Sequence, residues 1–374
     1  MRCLGGLLSA AAFVISACGP ECDAVGPHSR CFDDTDCPSG VHCMAGHCGP
    51  GLDAGVGRDG AAVAPGPVEY YLITRLTIDD SDAVEMPHTG FDLDGLASGP
   101  TSAEGCNHED FFSDRDLDQN HPPGCAIGTP GCRGGVDNQY PTMINSLQAA
   151  VMNMDLRMEL QSSINAGRTL YVLAAYGIDS RTSDTDVTLA LLVVRGVARN
   201  CSGPLAPGAE FVVESRSYVG GDPARPAWTA QARIMAGRLQ TILPFDAPFP
   251  APAVDPSRTL GSFREFAASR TRIALDFDTN GTGIRQGNWG AVLDFTEVLD
   301  AWGLPDYRSA SIAVLSGVVD LRRPCQLSCV DRTNAVATFG DISAAMGFEG
   351  LRATIVQTDP PLPDGGCPDA GRDR

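Results

Sequence analysis

Lysine is missing from this chain of 374 residues, so all 27 of its basic side chains are arginine. A GC-rich genome is a simpler source of that bias than guanidinium chemistry. Basic charge is scarce as well. Against 46 carboxylates the formal charge is −19 and the isoelectric point is near 4.6, which excludes the positive face that nucleic acid demands. Without lysine there is no P-loop. No G-x-S-x-G elbow and no H-E-x-x-H pair occurs, and the chain holds only six histidines. Serine-hydrolase and zincin chemistry therefore have no motif to rest on. Long apolar runs are lacking too: beyond the amino-terminal segment, no stretch is apolar enough to cross a bilayer as a helix.

What is present begins with cysteine. Fourteen cysteines are out of place in a reducing cytosol. Arg2 followed by the short apolar run Leu4 to Ile15 has the shape of an export signal over residues 1–17. The run Ile15-Ser16-Ala17-Cys18 resembles a bacterial lipobox; an ordinary cleavage site containing a cysteine is the alternative. The resemblance implies that Cys18 is lipidated and becomes the mature amino terminus, a membrane partner through its acyl chains, each buried methylene contributing about 0.8 kcal/mol. Gly19 rather than Asp at the next position implies, by the same resemblance, an outer-membrane lipoprotein on the periplasmic or cell-surface face.

Setting aside Cys3 and Cys18 leaves twelve cysteines. Cys22, Cys31, Cys37, Cys43 and Cys48 crowd into residues 18–48, where apolar content is too low for a core and covalent bridges must replace it. Cys106, Cys125, Cys132, Cys201, Cys325 and Cys329 are further disulfide candidates, and the twelfth, Cys367, lies in the carboxy-terminal tail. Five is odd, so Cys22 pairs outside the module or stays free. The Asp36-Cys37-Pro38-Ser39-Gly40 and Gly46-His47-Cys48 elements resemble the Dickkopf-like cysteine-rich module of myxobacterial surface lipoproteins. His42 and His47 beside the thiols admit a zinc reading, which the exported context makes weaker than disulfides. Residues 49–67, GPGLDAGVGRDGAAVAPGP, read as a flexible Gly/Ala/Pro tether with an end-to-end distance of roughly 25 Å.

The expected body spans 68–357. Strands are read at Glu69 to Ile78, Thr169 to Tyr176 and Val187 to Val194, the last two as a hairpin, and at Glu210 to Ser215, Trp228 to Met235 and Arg238 to Leu243. Thr271 to Phe277, Ile312 to Val319 and Leu351 to Val356 complete the set. Tyr140, Ile144, Leu147, Val151, Met154 and Met158 recur at alternating steps of four and three, which predicts one long amphipathic helix ending at Asn165 and Gly167. Val292, Phe295, Leu299 and Trp302 predict a second, shorter one. Asp246 to Pro256 reads as a proline-rich connector that could subdivide the body, and 358–374 as a disordered tail. Strands and helices do not alternate regularly, so the expectation is an α+β body, its sheet mostly antiparallel.

The acidic stretch supplies the main functional lead. Asp79 through Asp137 holds thirteen carboxylates against Arg115 and Arg133, −11 of the total charge, a crowd that water, hydrogen bonds or a cation must offset. Asp114-x-Asp116-x-Asp118-x-Asn120 places alternate oxygens on a short turn, as a hard cation wanting six to eight ligands at about 2.3–2.6 Å requires. It resembles the opening of an EF-hand or a thrombospondin type-3 repeat, but Gln119 and Cys125 stand where Gly and a bidentate Glu belong. Asp92, Asp94 and Asp137 could complete a Ca²⁺ shell; a solvated acidic loop is the alternative. Asp276-x-Asp278-x-Asn280-Gly281 repeats the pattern and equally suits a type I′ turn on Asn280-Gly281. His88, His108, His121 and Glu109 could form a catalytic zinc site, though without helical ligand spacing. Cys325 and Cys329 could be a redox pair, but a structural disulfide is commoner outside the cytoplasm. The expectation is a non-enzymatic, lipid-anchored surface protein that binds a glycan, a protein or an apolar molecule; the alternative is an extracellular metal-dependent hydrolase.

Overall fold

The computed structural model describes residues 41–44, 47–50, 67–78, 90–91, 93, 137–150, 155–168, 170–197, 203, 205, 209–251, 264–295, 297–298, 319–321, 330–331 and 338–357. These fall in two compact units, Met1–Gly55 with Arg323–Leu327 and Val56–Arg322 with Ser328–Arg374. The first contains a hairpin of β1 (Val41–Met44) and β2 (His47–Pro50), whose antiparallel register sets Cys43 opposite Cys48. The expected export signal, Cys18, Cys22, Cys31, Cys37, nearly all of the expected tether and the expected tail lie outside the described residues.

The second unit holds β3 (Val68–Thr77), helices α1 (Tyr140–Ala150) and α2 (Leu156–Asn165), β4 (Leu170–Tyr176), β5 (Ser183–Gly196), β6 (Glu210–Val213) and β7 (Thr229–Met235). It continues with β8 (Arg238–Thr241), β9 (Phe245–Ala251), β10 (Arg264–Phe277), β11 (Gly283–Asp294), β12 (Val330–Asp331), β13 (Thr338–Phe339), β14 (Asp341–Arg352) and β15 (Thr354–Ile355). Strands β3, β4, β5, β7, β8, β10, β11 and β14 pair in that order, every pair antiparallel, and β14 pairs back onto β3. The result is a closed eight-stranded barrel. The expected α+β fold is therefore overturned: the unit is mostly β, with two short helices.

Register shows which side chains fill the barrel. Tyr71, Leu173 and Leu191 are partners across β3, β4 and β5, and Ile234, Leu239, Leu275, Gly287, Phe348 and Leu76 across β7, β8, β10, β11, β14 and β3. This face points inward, because Tyr71 of β3 meets Phe277 of β10 at 5.4 Å and Tyr171 of β4 meets Trp289 of β11 at 5.2 Å. In ring order these partners are not neighbours, so their contact crosses the interior. Side chains from opposite walls thus meet across an interior of a width that suits packed side chains or one small ligand. On the outer face Phe91, Leu93 and Leu321 bury Ala274 and Val292.

The single long helix of the sequence reading is two helices. Asp155 has extended backbone (φ −88, ψ 96), and its carboxylate accepts from the Arg157 and Met158 N–H groups, restarting the chain as an N-cap. Met158, expected on the buried stripe, is 69% exposed. Val292 is a strand residue, helix beginning only at Phe295; Leu299 and Trp302 lie outside the described residues. The proline-rich Asp246–Ala251 is most of β9, which among the described residues pairs only with β10, an edge where Pro248 and Pro250 need no second ladder.

Candidate functional site

Two ends of the barrel differ. At one, β4–β5, β7–β8 and β10–β11 are joined by the short turns 177–182, 236–237 and 278–282. At the other, the connections are 78–169, 197–228, 242–263 and 295–340. A rigid strand scaffold carrying its long connections on one end is how binding surfaces are usually built.

At this loop end the wall changes partners. Beyond Ala190, β5 leaves β7 and takes up β6 at Val194; beyond Ala274, β10 leaves β8 and takes up β9 at Thr271. Among the described residues no pairing joins β6 to β9. Arg216, just past β6, bridges this break. Its NH2 donates to Glu265 Oε1 at 3.0 Å, its NH1 to Glu265 Oε2, and its Nε to Glu214 Oε2 at 2.7 Å. Tyr171 donates its hydroxyl to the same Glu265 Oε1 at 2.9 Å. Burial alone would lower Arg216, but the two carboxylates hold it well above the ordinary guanidinium range. Burial, then the Glu265 charge, pushes the Tyr171 phenol well up. Glu265 thus accepts three hydrogen bonds and clamps Arg216 and Tyr171 together across the break.

Behind the clamp lies an aromatic group. Trp289 meets Tyr171 and Phe249 edge-on at 5.2 and 5.6 Å, and Phe249 meets Tyr140 at 5.3 Å. Tyr140, the first residue of α1, donates to the Pro250 carbonyl at 3.0 Å, and burial raises its phenol far above the usual value. The strand edge of β14 beyond the reach of β3 is completed by this same segment. Gln139 N–H donates to Ser343 O at 3.1 Å, Asn138 Oδ1 accepts from Ala345 N–H at 2.9 Å, and Asp320 accepts from both the Ser343 N–H and hydroxyl.

Of the residues expected to bind calcium, Asp137 is described. It is 3% exposed, its Oδ2 accepts the Leu93 N–H at 2.5 Å, and its own N–H donates to Phe91 O at 2.9 Å. Asp92, Asp94, Asp114, Asp116, Asp118 and Asn120 lie outside the described residues, as do His88, His108, His121, Glu109, Cys106, Cys125, Cys132, Cys201, Cys325 and Cys329. Among the described residues no cluster of three His, Cys, Asp or Glu is placed to hold a metal ion. Asp278 serves a turn: it accepts from Asn280 N–H, Thr282 N–H and the Thr282 hydroxyl at 3.1, 2.7 and 2.6 Å, bonds that hold its carboxyl below the usual range. That turn is not type I′. Gly281 N–H bonds Asp278 O, and of the pair only Gly281 has positive φ (+67), whereas type I′ requires it at both Asn280 and Gly281. Asp276 meets Arg238 at 3.3 Å and Arg285 at 3.9 Å.

Tyr171, Arg216, Glu265, Thr271 and Trp289 escaped the sequence reading because no local spacing links them. Only the barrel's register brings residues 171, 216, 265 and 289 together. No family model matches the chain, and neither does any curated protein or solved structure.

Proposed function

We propose that this chain is an exported, lipid-anchored surface protein that binds through the loop-bearing end of its barrel and does not catalyse a reaction. The observation that carries this reading is the asymmetry of the barrel, with all four long connections leaving one end and tight turns closing the other. The loop-end carboxylate of Glu265 already accepts three hydrogen bonds from Arg216 and Tyr171, a structural engagement that supports binding over acid–base chemistry. The acidic segment between β3 and α1 emerges at that end, and in this proposal Ca²⁺ offsets its charge.

A ligand bound only to the folded form stabilises it by mass action. Calcium at about 1–5 mM, a few times the 10⁻⁴–10⁻³ M typical of extracellular sites, should therefore raise the melting temperature of the purified protein, and EDTA should reverse the rise. Identical melting with calcium and with EDTA removes calcium from the proposal. Zinc-dependent turnover across an esterase, peptidase and glycosidase panel, lost in His108→Ala, would replace binding with hydrolysis.

A further inference from the structure

Among the described residues, two polar atoms inside the barrel have no hydrogen-bond partner. Trp289 and Thr271 are both 0% exposed, and neither the indole Nε1–H nor the threonine hydroxyl meets a donor or acceptor among the described residues. Enclosed groups of this kind are nearly always paired, and an exception calls for an explanation. The two share the inner face. Ile273 registers with Trp289 and Thr271 with Phe245, and Phe249, on the same face as Phe245, packs edge-on against Trp289.

A bulge puts the threonine there. The β10–β11 register jumps from Ser269↔Val292 to Arg272↔Gly290, so Arg270 and Thr271 together oppose Ala291. Before the jump the even-numbered Phe266 and Ala268 are the buried side chains of β10; after it the odd-numbered Thr271, Ile273 and Leu275 take the inward positions. Without the bulge Arg270 would face inward. The rearrangement holds Arg270 at φ +53, a conformation unfavourable for any residue with a Cβ. Such strain and such bulges gather where a side chain must be aimed for use. Thr271 also sits where β9 takes up β10, beside the break that Arg216 spans.

We propose that this level of the barrel is a subsite for a small, largely apolar molecule carrying one carbonyl oxygen, which accepts from Trp289 Nε1–H and from the Thr271 hydroxyl. The surroundings select for that class. Phe245, Phe249, Ile273 and Met346 supply apolar contact, while a carbonyl has two lone pairs for two donors. The subsite rests on the binding reading above and supplies its ligand chemistry.

The test uses full-length protein with ¹⁵N-labelled tryptophan, whose three indole N–H resonances are assigned with Trp289→Phe. The probes are acetophenone and its oxygen-free shape analogue isopropylbenzene. Acetophenone should move the Trp289 indole resonance downfield in a saturable manner, and isopropylbenzene should bind about tenfold more weakly, the scale of a hydrogen bond to an otherwise unpaired buried donor. Thr271→Val should weaken acetophenone by a similar factor while raising the melting temperature of the free protein. Thr271→Ser should keep the binding. Equal affinity for the two probes, or a Trp289 resonance that acetophenone leaves in place, overturns the subsite, as does a fall in melting temperature with Thr271→Val, which would mean a trapped water pairs the hydroxyl. Those results leave loop-end binding standing, whereas metal-dependent turnover sinks that reading without moving the indole resonance.

Discussion

Glu69, at the tight-turn end, collects donors from three directions. It accepts the Tyr71 hydroxyl at 2.6 Å, Arg181 NH2 at 2.5 Å and, less closely, Arg352 NH2 at 3.5 Å. Burial alone would raise its pKa, but the Arg181 and Tyr71 hydrogen bonds and the two arginine charges outweigh it, and the carboxyl ends below its ordinary value. The sign of the pH effect follows. A carboxyl depressed on folding stabilises the protein above its unfolded value, roughly 4.3 for glutamate, and that contribution is lost as pH falls through the lower folded value. Urea unfolding between pH 7 and pH 3 should show stability declining across that acid window, and Glu69→Gln should flatten the decline; an unchanged slope would contradict the assignment. Arg181, which also lies over the Phe277 ring at 6.0 Å, is packed beneath the β10–β11 turn. A Cβ on Gly281 would come within 2.5 Å of its guanidinium carbon, and φ there is +67, so the glycine serves both the turn and the ion pair.

The elements show which features of the chain were readable. Hairpin β4–β5 and strands β3, β7 and β8 follow period-two or continuous apolar patterns and were placed within a few residues. β11 and β14 were missed except at the tail of β14, and the reason is glycine. Gly287, Gly290 and Gly350 look like breakers in sequence, yet a Cβ at each would strike Phe348 at 2.2 Å, Phe91 at 2.4 Å and the Leu72 carbonyl at 2.7 Å. They permit close approach inside strands, which only tertiary structure reveals. The helix was misread because the stripe ran on through Asp155, whose capping chemistry competes with periodicity. Asp155→Ala should cost about 1 kcal/mol, measured by denaturant unfolding. α2 also stands in for a strand: Gln161 Nε2 donates to Thr74 O and Oε1 accepts from Leu76 N–H, each at 3.0 Å, along the length of β3 that β4 does not reach. Of the candidate site, Asp278 and Asn280 were legible as a turn, whereas the Tyr171–Glu265–Arg216 clamp joins residues up to 94 positions apart and left no spacing to read.

At the scale of the whole molecule, the outward residues Gln231, Arg233, Gln240 and Arg272 give β7, β8 and β10 polar outer faces, the inverse of the lipid-facing band on a membrane-spanning barrel. Closure of the ring is the other property of this scale. Ending the chain after Arg352 removes β15 but keeps all eight ring strands, and thermal unfolding should remain cooperative; ending it after Gly340 removes β14 and should abolish the transition. Two equally sharp melts would show that closure is dispensable. The seam itself joins the first and last ring strands, with Arg75 meeting Glu349 across 274 positions of chain. A polypeptide emerging from a ribosome cannot make that join until β14 has been synthesised. It must then spend its passage open-edged and, on contact-order grounds, fold slowly once released. Until β14 joins β3, the edges of both neighbouring strands stay unpaired, so the unsealed ring is the state most exposed to edge-to-edge association.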